Sequence, residues 1–506
     1  MAGFSEDKKR LIIPRWREFH TTLNLNELTS LSQQVNPQLS AETVFSERLR
    51  DWQNFHSFSF AADLVSCSIV LSREPEAQDA AKFILLEQHP HFEPARALAR
   101  HALGLDRSDF TPDELGNTNE LEASYAYKKI HSLRERLNEQ PRNSLLWVDL
   151  SRIYAISGFP EQAKRSMDIA LKLTPENRFV LRSAARLFLH LHDPSYAHDI
   201  LRKSERVRYD PWILASEIAV ATASGLTSRL IKFAKAIIKS QKYEPFHMSE
   251  LASALGTLEM ESGDLRRARR FLRTSLEKPN ENATAQASWA ARSSSQLQLD
   301  DIIKVYRKIS HEALSWFYYY QGDWKEATNE IRRWFFDQPF SSQPAIFGSF
   351  LWSTIFENFD ESVKIAKKGL LANPNNFLLL NNFSFAVASA NQVGEAQKYF
   401  NRIETTSLSQ SENIIWLATK GFLSYRTGNS KLGRQLYLQS ISNARRINNR
   451  RLEALAAIHI AFEELRAATP EAENYRLEAL TISENLQQYP DIVILRERLS
   501  KYSAIK

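Results

Sequence analysis

Two histidine pairs, His89 with His91 and His190 with His192, are the first residues to examine for metal chemistry. Imidazole nitrogens are common ligands for zinc and its neighbours. Each pair is spaced i, i+2, and on a helix such residues point to different faces, so neither suits a shared ion. A surface or capping role fits His190-Leu191-His192, near the end of a helical pattern. The adjacent carboxylates Asp300-Asp301 and Glu463-Glu464 are of the right type for acid–base work. Side by side in sequence, such residues are most often simply solvated. The chain contains no Gly-x4-Gly-Lys-Ser/Thr, no Gly-x-Gly-x2-Gly, no His-Glu-x2-His and no Gly-x-Ser-x-Gly. Nothing assembles a nucleophile, a base and a group that orients it. The sequence therefore assigns no catalytic residue, no metal site and no cofactor. Its single cysteine, Cys67, excludes an intramolecular disulfide and a cysteine-based metal cluster, and fits a reducing compartment.

Arginine runs carry a different chemistry. Arg266-Arg267-Ala268-Arg269-Arg270 and Arg445-Arg446-Ile447-Asn448-Asn449-Arg450-Arg451 could meet phosphates, and arginine beside aromatic residues can hold single strands. The net charge of +6 on 506 residues is mild, so nucleic-acid binding is permitted rather than indicated. Solvated convex faces are the favoured reading of both runs. A one-base-per-repeat code would need regular polar pairs at fixed positions, and none is found.

The elements that carry these residues repeat. Gly-Asp-Leu-Arg-Arg-Ala at 263–268 and Gly-Asp-Trp-Lys-Glu-Ala at 322–327 are one phrase written twice, and Gly158 with Ala163 repeats its spacing. Ala163 to Ala197 is 34 residues, Ser362 to Ala396 is 34, and Pro339 to Pro374 is 35. A period of this length means stacked helical hairpins. In the clearest unit, Trp147, Leu150 and Tyr154 fall on one helical face. Gly158 ends that helix, because glycine enters the left-handed cap cheaply. Pro160 opens the next helix, where its missing N–H costs nothing. Ala163, Met167 and Ala170 line the inner face of the second helix, and Pro175 marks the join to the following unit.

Trp147, Leu150, Tyr154, Ala163 and Pro175 make this unit similar to the tetratricopeptide repeat, with Ser151 in place of its small glycine and Met167 in place of its phenylalanine. Further units follow at Ala185–Leu201, Leu255–Pro279, Ser315–Pro339, Phe347–Pro374, Leu380–Phe400 and Leu417–Tyr437. Segments 210–243 and 282–307 keep the helical pattern but lose the consensus residues. The resemblance covers roughly residues 143–445. It implies an all-α fold: a right-handed superhelical solenoid of stacked antiparallel helix hairpins.

In the resembling family the first helix of each hairpin lines a concave groove that holds an extended peptide or a helix. Carried onto this chain, the groove candidates are Arg152, Arg182 and Arg186, then Trp316, Tyr319, Tyr320, Phe347, Asn381, Asn382, Phe385, Phe422, Tyr425 and Arg426. The early set is basic and the later set aromatic, and aromatic residues are favoured as hot spots. Any single aromatic at this period is more often core. For Asn382 the resemblance implies a bond to a bound peptide's backbone, with helix–helix bonding as the equal alternative. The two-lysine, multi-asparagine carboxylate clamp of chaperone-binding members is not recognisable.

The expected organisation is a basic, aromatic arm or cap at 1–40, degenerate hairpins and a turn-rich join at 41–119, the repeat array at 120–445, and a helical extension and cap at 446–506. Arg15-Trp16-Arg17 and Leu23, Leu25 and Leu28 mark the arm. Terminal repeats need atypical caps because an open hairpin leaves an apolar face wet. Hydrophobic residues at 43% and charged residues at 25% suit a folded, soluble chain, and 14 Gly with 18 Pro suit helices joined by short turns. No apolar stretch approaches the roughly 20 residues that span a bilayer, and the start lacks the apolar core of a signal peptide. These features predict a cytoplasmic, non-catalytic scaffold with a protein or peptide partner. A nucleic-acid adaptor using the arginine runs is the alternative.

Overall fold

Each Gly-Asp phrase forms a turn that finishes one helix and starts the next. Gly263 has φ +84°, the left-handed conformation that glycine adopts without penalty. The following Asp264 donates its N–H back to Glu259 O at 2.9 Å, which closes the first helix. The Asp264 carboxylate then accepts the N–H of Arg267 at 2.9 Å, which caps the second. Gly322-Asp323 and Gly428-Asn429 do the same. So do His192-Asp193, Glu357-Asn358 and Asn448-Asn449, with a non-glycine residue at φ between +53° and +58°.

The computed structural model describes Gly3 and residues 10–17, 41–71, 73–86, 93–103, 105 and 123–502. Expectations for Leu23, Leu25, Leu28, His89, Pro90, His91 and nearly all of the join at 104–119 lie outside the described residues. Among the described residues there are α-helices and short 3-10 turns and no strand. The fold is all-α and tetratricopeptide-like, and it divides into two compact units.

The unit Lys8–Ala313 begins its helical part with Ala41–Asn54, Phe58–Leu71, Gln78–Leu86, Glu93–Ala102 and Ala123–Glu139. Five hairpins follow: Ser144–Ile156 with Pro160–Leu173, Arg178–His190 with Pro194–Lys203, Pro211–Ala223 with Ile231–Ser240, Pro245–Glu261 with Leu265–Ser275, and Glu281–Ser293 with Asp300–Tyr306. The first helix of each hairpin packs on the first helix of the next. First helices thus form one layer and second helices another. Pro211–Ala223 is buried on nearly every face, whereas Leu265–Ser275 buries only Ala268, Phe271, Leu272 and Ser275. This is the difference expected between an enclosed and a surface helix. The segments 210–243 and 282–307, which lack consensus residues, form ordinary hairpins.

The other unit contains Gly3 and Leu314–Lys506. After Trp324–Asp337, its hairpins are Ser342–Thr354 with Phe359–Ala372, Phe377–Ser389 with Val393–Phe400, Gln410–Arg426 with Ser430–Arg446, and Arg450–Arg466 with Ala472–Ile482. Pro490–Lys501 closes the stack against Arg450–Arg466. Small residues let the helices cross closely: a Cβ on Gly433 would lie 2.9 Å from Gly421 O and 2.5 Å from the Tyr425 ring. Ala163, Ala268, Ala327 and Ala396 are fully buried at the corresponding second-helix positions.

Candidate peptide-binding groove

Residues 10–17, Arg-Leu-Ile-Ile-Pro-Arg-Trp-Arg, have no helix of their own and lie on the first-helix layer of the unit Lys8–Ala313. Burial alternates along them: Ile12, Pro14 and Trp16 are buried, and Leu11, Ile13, Arg15 and Arg17 are half-buried. A period of two is the mark of an extended chain with one face against a surface. Side chains of the helices donate to carbonyls of this chain. Gln286 Nε2 donates to Arg10 O at 2.6 Å, Asn282 Nδ2 to Ile13 O at 2.9 Å, and Arg152 Nε to Trp16 O at 3.4 Å. Every third carbonyl is therefore held. Asn282 and Gln286 can act together because i, i+4 residues share one face of Glu281–Ser293.

Two carboxylates hold the arm's charge. Arg10 forks onto Glu312 with Nε and Nη2 at 2.7 and 2.9 Å, while its Nη1 reaches Gln286 Oε1 at 2.5 Å. Arg15 Nη2 reaches Glu312 Oε2 at 2.8 Å and its Nε lies 3.3 Å from Glu281 Oε1. Arg17 pairs with Glu281. Burial alone would raise the Glu312 carboxyl, but Arg10, Arg15 and Arg292 override it and hold it down at about 2. Beneath the arm, Arg182 forks onto Glu250 at 2.7 and 3.0 Å, and Asn280 donates to the same carboxylate at 2.8 Å. Arg178 forks onto Asp210 at 2.7 Å through both nitrogens, and both arginines lie over the Trp212 ring. Burial, with Arg15 nearby, lowers Arg186 to about 10. Arg152, Arg182 and Arg186 thus gather around or beneath the arm.

The later candidates belong to the other unit. Asn382 is fully buried and bonds both backbone groups of one residue, Gly3. Its Oδ1 accepts the N–H of Gly3 at 2.7 Å, and its Nδ2 donates to Gly3 O at 2.9 Å. Asn382 Nδ2 also lies 3.1 Å from Ser349 Oγ and 3.2 Å from Ile346 O. A Cβ on Gly3 would meet Ile415 Cδ1 at 3.0 Å, so the close approach favours glycine there. Asn381 is buried beside it, with Nδ2 3.4 Å from Asn382 Oδ1.

The aromatic candidates pack mainly on each other. Trp316 stacks on Phe347 with ring centroids 4.3 Å apart, and Phe385 meets Phe422 at 4.6 Å. Tyr319 is buried and donates to Asp491 Oδ1 at 2.9 Å. Tyr320 is 39% exposed. Tyr425 donates to Glu464, and Arg426 lies over Phe422 and reaches Glu463 at 3.0 Å.

The residues that hold the arm, Asn282, Gln286, Glu281 and Glu312, are absent from the groove candidates read from sequence. Asn282 and Gln286 lie in the segment 282–307, where consensus residues are lost. Two polar amides at i, i+4 among Ala283, Ala285 and Ala287 were the available signal.

The arginine runs take ordinary surface and structural places. Arg266, Arg267 and Arg270 are exposed, and Arg267 lies 3.3 Å from Asp264. Arg445 pairs with Glu453 at 2.5 Å, and Arg451 reaches Asp491 Oδ2 at 2.5 Å. His192 sits in a hairpin turn. Cys67 is buried, and burial pushes its thiol up to about 12, so it stays protonated and unreactive. No group of three or more His, Cys, Asp or Glu placed to hold a metal occurs among the described residues. Among them, too, no helix is long and apolar enough to cross a membrane.

No protein-family model matches the chain, and no curated protein matches it by sequence. Solved structures do resemble it. The hetero-tetramer Cut9-Hcn1 of the APC/C aligns over 91% of this chain and 93% of that one, at 12% identity and a TM-score of 0.40. Yeast Tom70 aligns over 91% and 96%, at 11% identity and a TM-score of 0.30. A human IFIT1 dimer with PPP-AAAA aligns over 94% and 98%, at 11% identity and a TM-score of 0.26.

Proposed function

We propose that this protein is a non-catalytic scaffold of the tetratricopeptide type, whose first-helix layer holds an extended segment of a protein partner. One observation carries the reading: side-chain amides of Asn282 and Gln286 bond the backbone of extended chain, and that of Asn382 bonds both backbone groups of Gly3. Backbone bonding gives affinity without fixing sequence, and neighbouring side-chain slots add specificity. The nucleic-acid alternative gains less support, since several of the arginines that motivated it face carboxylates of their own chain.

A photoreactive amino acid at Tyr320, the most exposed of the aromatic candidates, tests this in the native host. The expected product is a covalent adduct with a protein, absent when the same group replaces Arg270 on the outer layer. Adducts that disappear on nuclease treatment, together with binding of single-stranded RNA that falls steeply with salt, would replace the peptide reading with the nucleic-acid one.

A further inference from the structure

The hold on residues 10–17 has two parts with different selectivity. Asn282, Gln286 and Arg152 bind carbonyls, which every extended chain offers. Glu281 and Glu312 bind guanidinium groups, which few segments offer. Both oxygens of Glu312 are taken by the planar fork of Arg10, and Oε2 also receives Arg15. Lysine, a point charge, cannot reproduce that geometry. With the arm gone, Glu281 loses Arg15 and Arg17, and Glu312 keeps only Arg292 of the three arginines that hold it down. Paired carboxylates placed to take a guanidinium fork favour a cationic occupant over a neutral or acidic one, so the emptied groove selects a cationic replacement. Ile12, Pro14 and Trp16 are buried between the charges.

We propose that this groove is the docking site for an extended, arginine-bearing segment of a partner protein, with the spacing Arg-x4-Arg-x-Arg, and that residues 10–17 occupy it in cis as a built-in competitor. The inference rests on the scaffold reading above and names its ligand. A covalently attached ligand acts at an effective concentration on the order of millimolar, so even a weak intrinsic fit keeps the groove closed. A partner then binds with an affinity reduced by the fraction of open groove.

The test uses the full chain and a fluorescent synthetic peptide of the sequence of residues 10–17, with binding read by anisotropy. Wild-type protein should bind it weakly. A full-chain variant with Arg10→Ala, Arg15→Ala and Trp16→Ala should bind it about tenfold or more tightly. Adding Glu281→Gln and Glu312→Gln to that variant should remove the gain, and a peptide with lysine for each arginine should bind far less well. If the alanine variant does not fold, Arg10→Lys with Arg15→Lys keeps the charge and stem packing and should give a smaller gain of the same sign. Equal binding to wild type and to a folded arm variant would overturn the proposal. So would an arm variant that binds no peptide while the wild-type protein dimerises through exchanged arms, which assigns the groove to a second copy. If the folded arm variant ignores the peptide yet still forms the protein adduct through position 320, only the ligand assignment falls. If it does neither, the scaffold reading falls with it.

Discussion

At Asn382 one side-chain amide answers both hydrogen-bonding groups of Gly3 and touches Ser349 and Ile346 besides. Asn382→Ala would strand several buried polar groups at once. We expect a loss of about 1–3 kcal/mol in stability, measured by chemical denaturation. Glu312 makes a pH-dependent contribution whose sign follows from its lowered pKa. Folded it titrates near 2, and unfolded near 4.5. Its stabilisation is fully present above pH 4.5 and is lost as pH falls toward 2. From the shift, the effect is about 3 kcal/mol at most. Denaturation midpoints of wild type should fall more steeply between pH 5 and about 3 than those of Glu312→Gln; parallel slopes would show that Glu312 is not held by the arm's arginines. In the other unit, Asp491 is fully buried between Tyr319 and Arg451. Asp491→Ala leaves Arg451 without that partner and should cost about 3–5 kcal/mol.

Among the elements, the hairpin turn explains both what the sequence reveals and what it conceals. Gly-Asp at 263–264 and 322–323 is legible because it places the two commonest residues at a left-handed cap and a helix N-cap. His192-Asp193, Glu357-Asn358 and Asn448-Asn449 make the same turn, but there the second residue does the capping while the first tolerates the left-handed backbone. A consensus search keyed to glycine passes over them. Opposite substitutions should therefore have opposite signs. Gly263→Ala meets no atom within 4 Å and pays only the backbone strain at φ +84°, a loss of about 1–2 kcal/mol. His192→Gly relieves a similar strain and should raise the melting temperature slightly; a drop would mean that the histidine ring contributes more than its backbone costs. The groove was less legible than the repeats. Periodicity marks which faces of a helix are enclosed, but it does not say what encloses them. Arg15-Trp16-Arg17 stood out as basic and aromatic, yet the carboxylates that pair with its arginines lie more than 250 positions away. No local pattern links the two.

For the whole molecule, repeat architecture makes stability close to a sum of local terms. Gly263→Ala and Asp491→Ala lie in different units and share no partner, so their effects should add within about 0.5 kcal/mol. The arm is the exception to locality. Arg10 waits for Glu312, 302 positions later, and Gly3 for Asn382, 379 positions later. On a ribosome working at about 5–20 residues per second, that separation is roughly 15–75 seconds of synthesis. Through that interval Arg10 and Gly3 have no such partner on their own chain. An arginine-rich strand is then open to chaperones, to nucleic acid or to another copy's finished groove, and its docking becomes a sign that the chain has been made past Glu312.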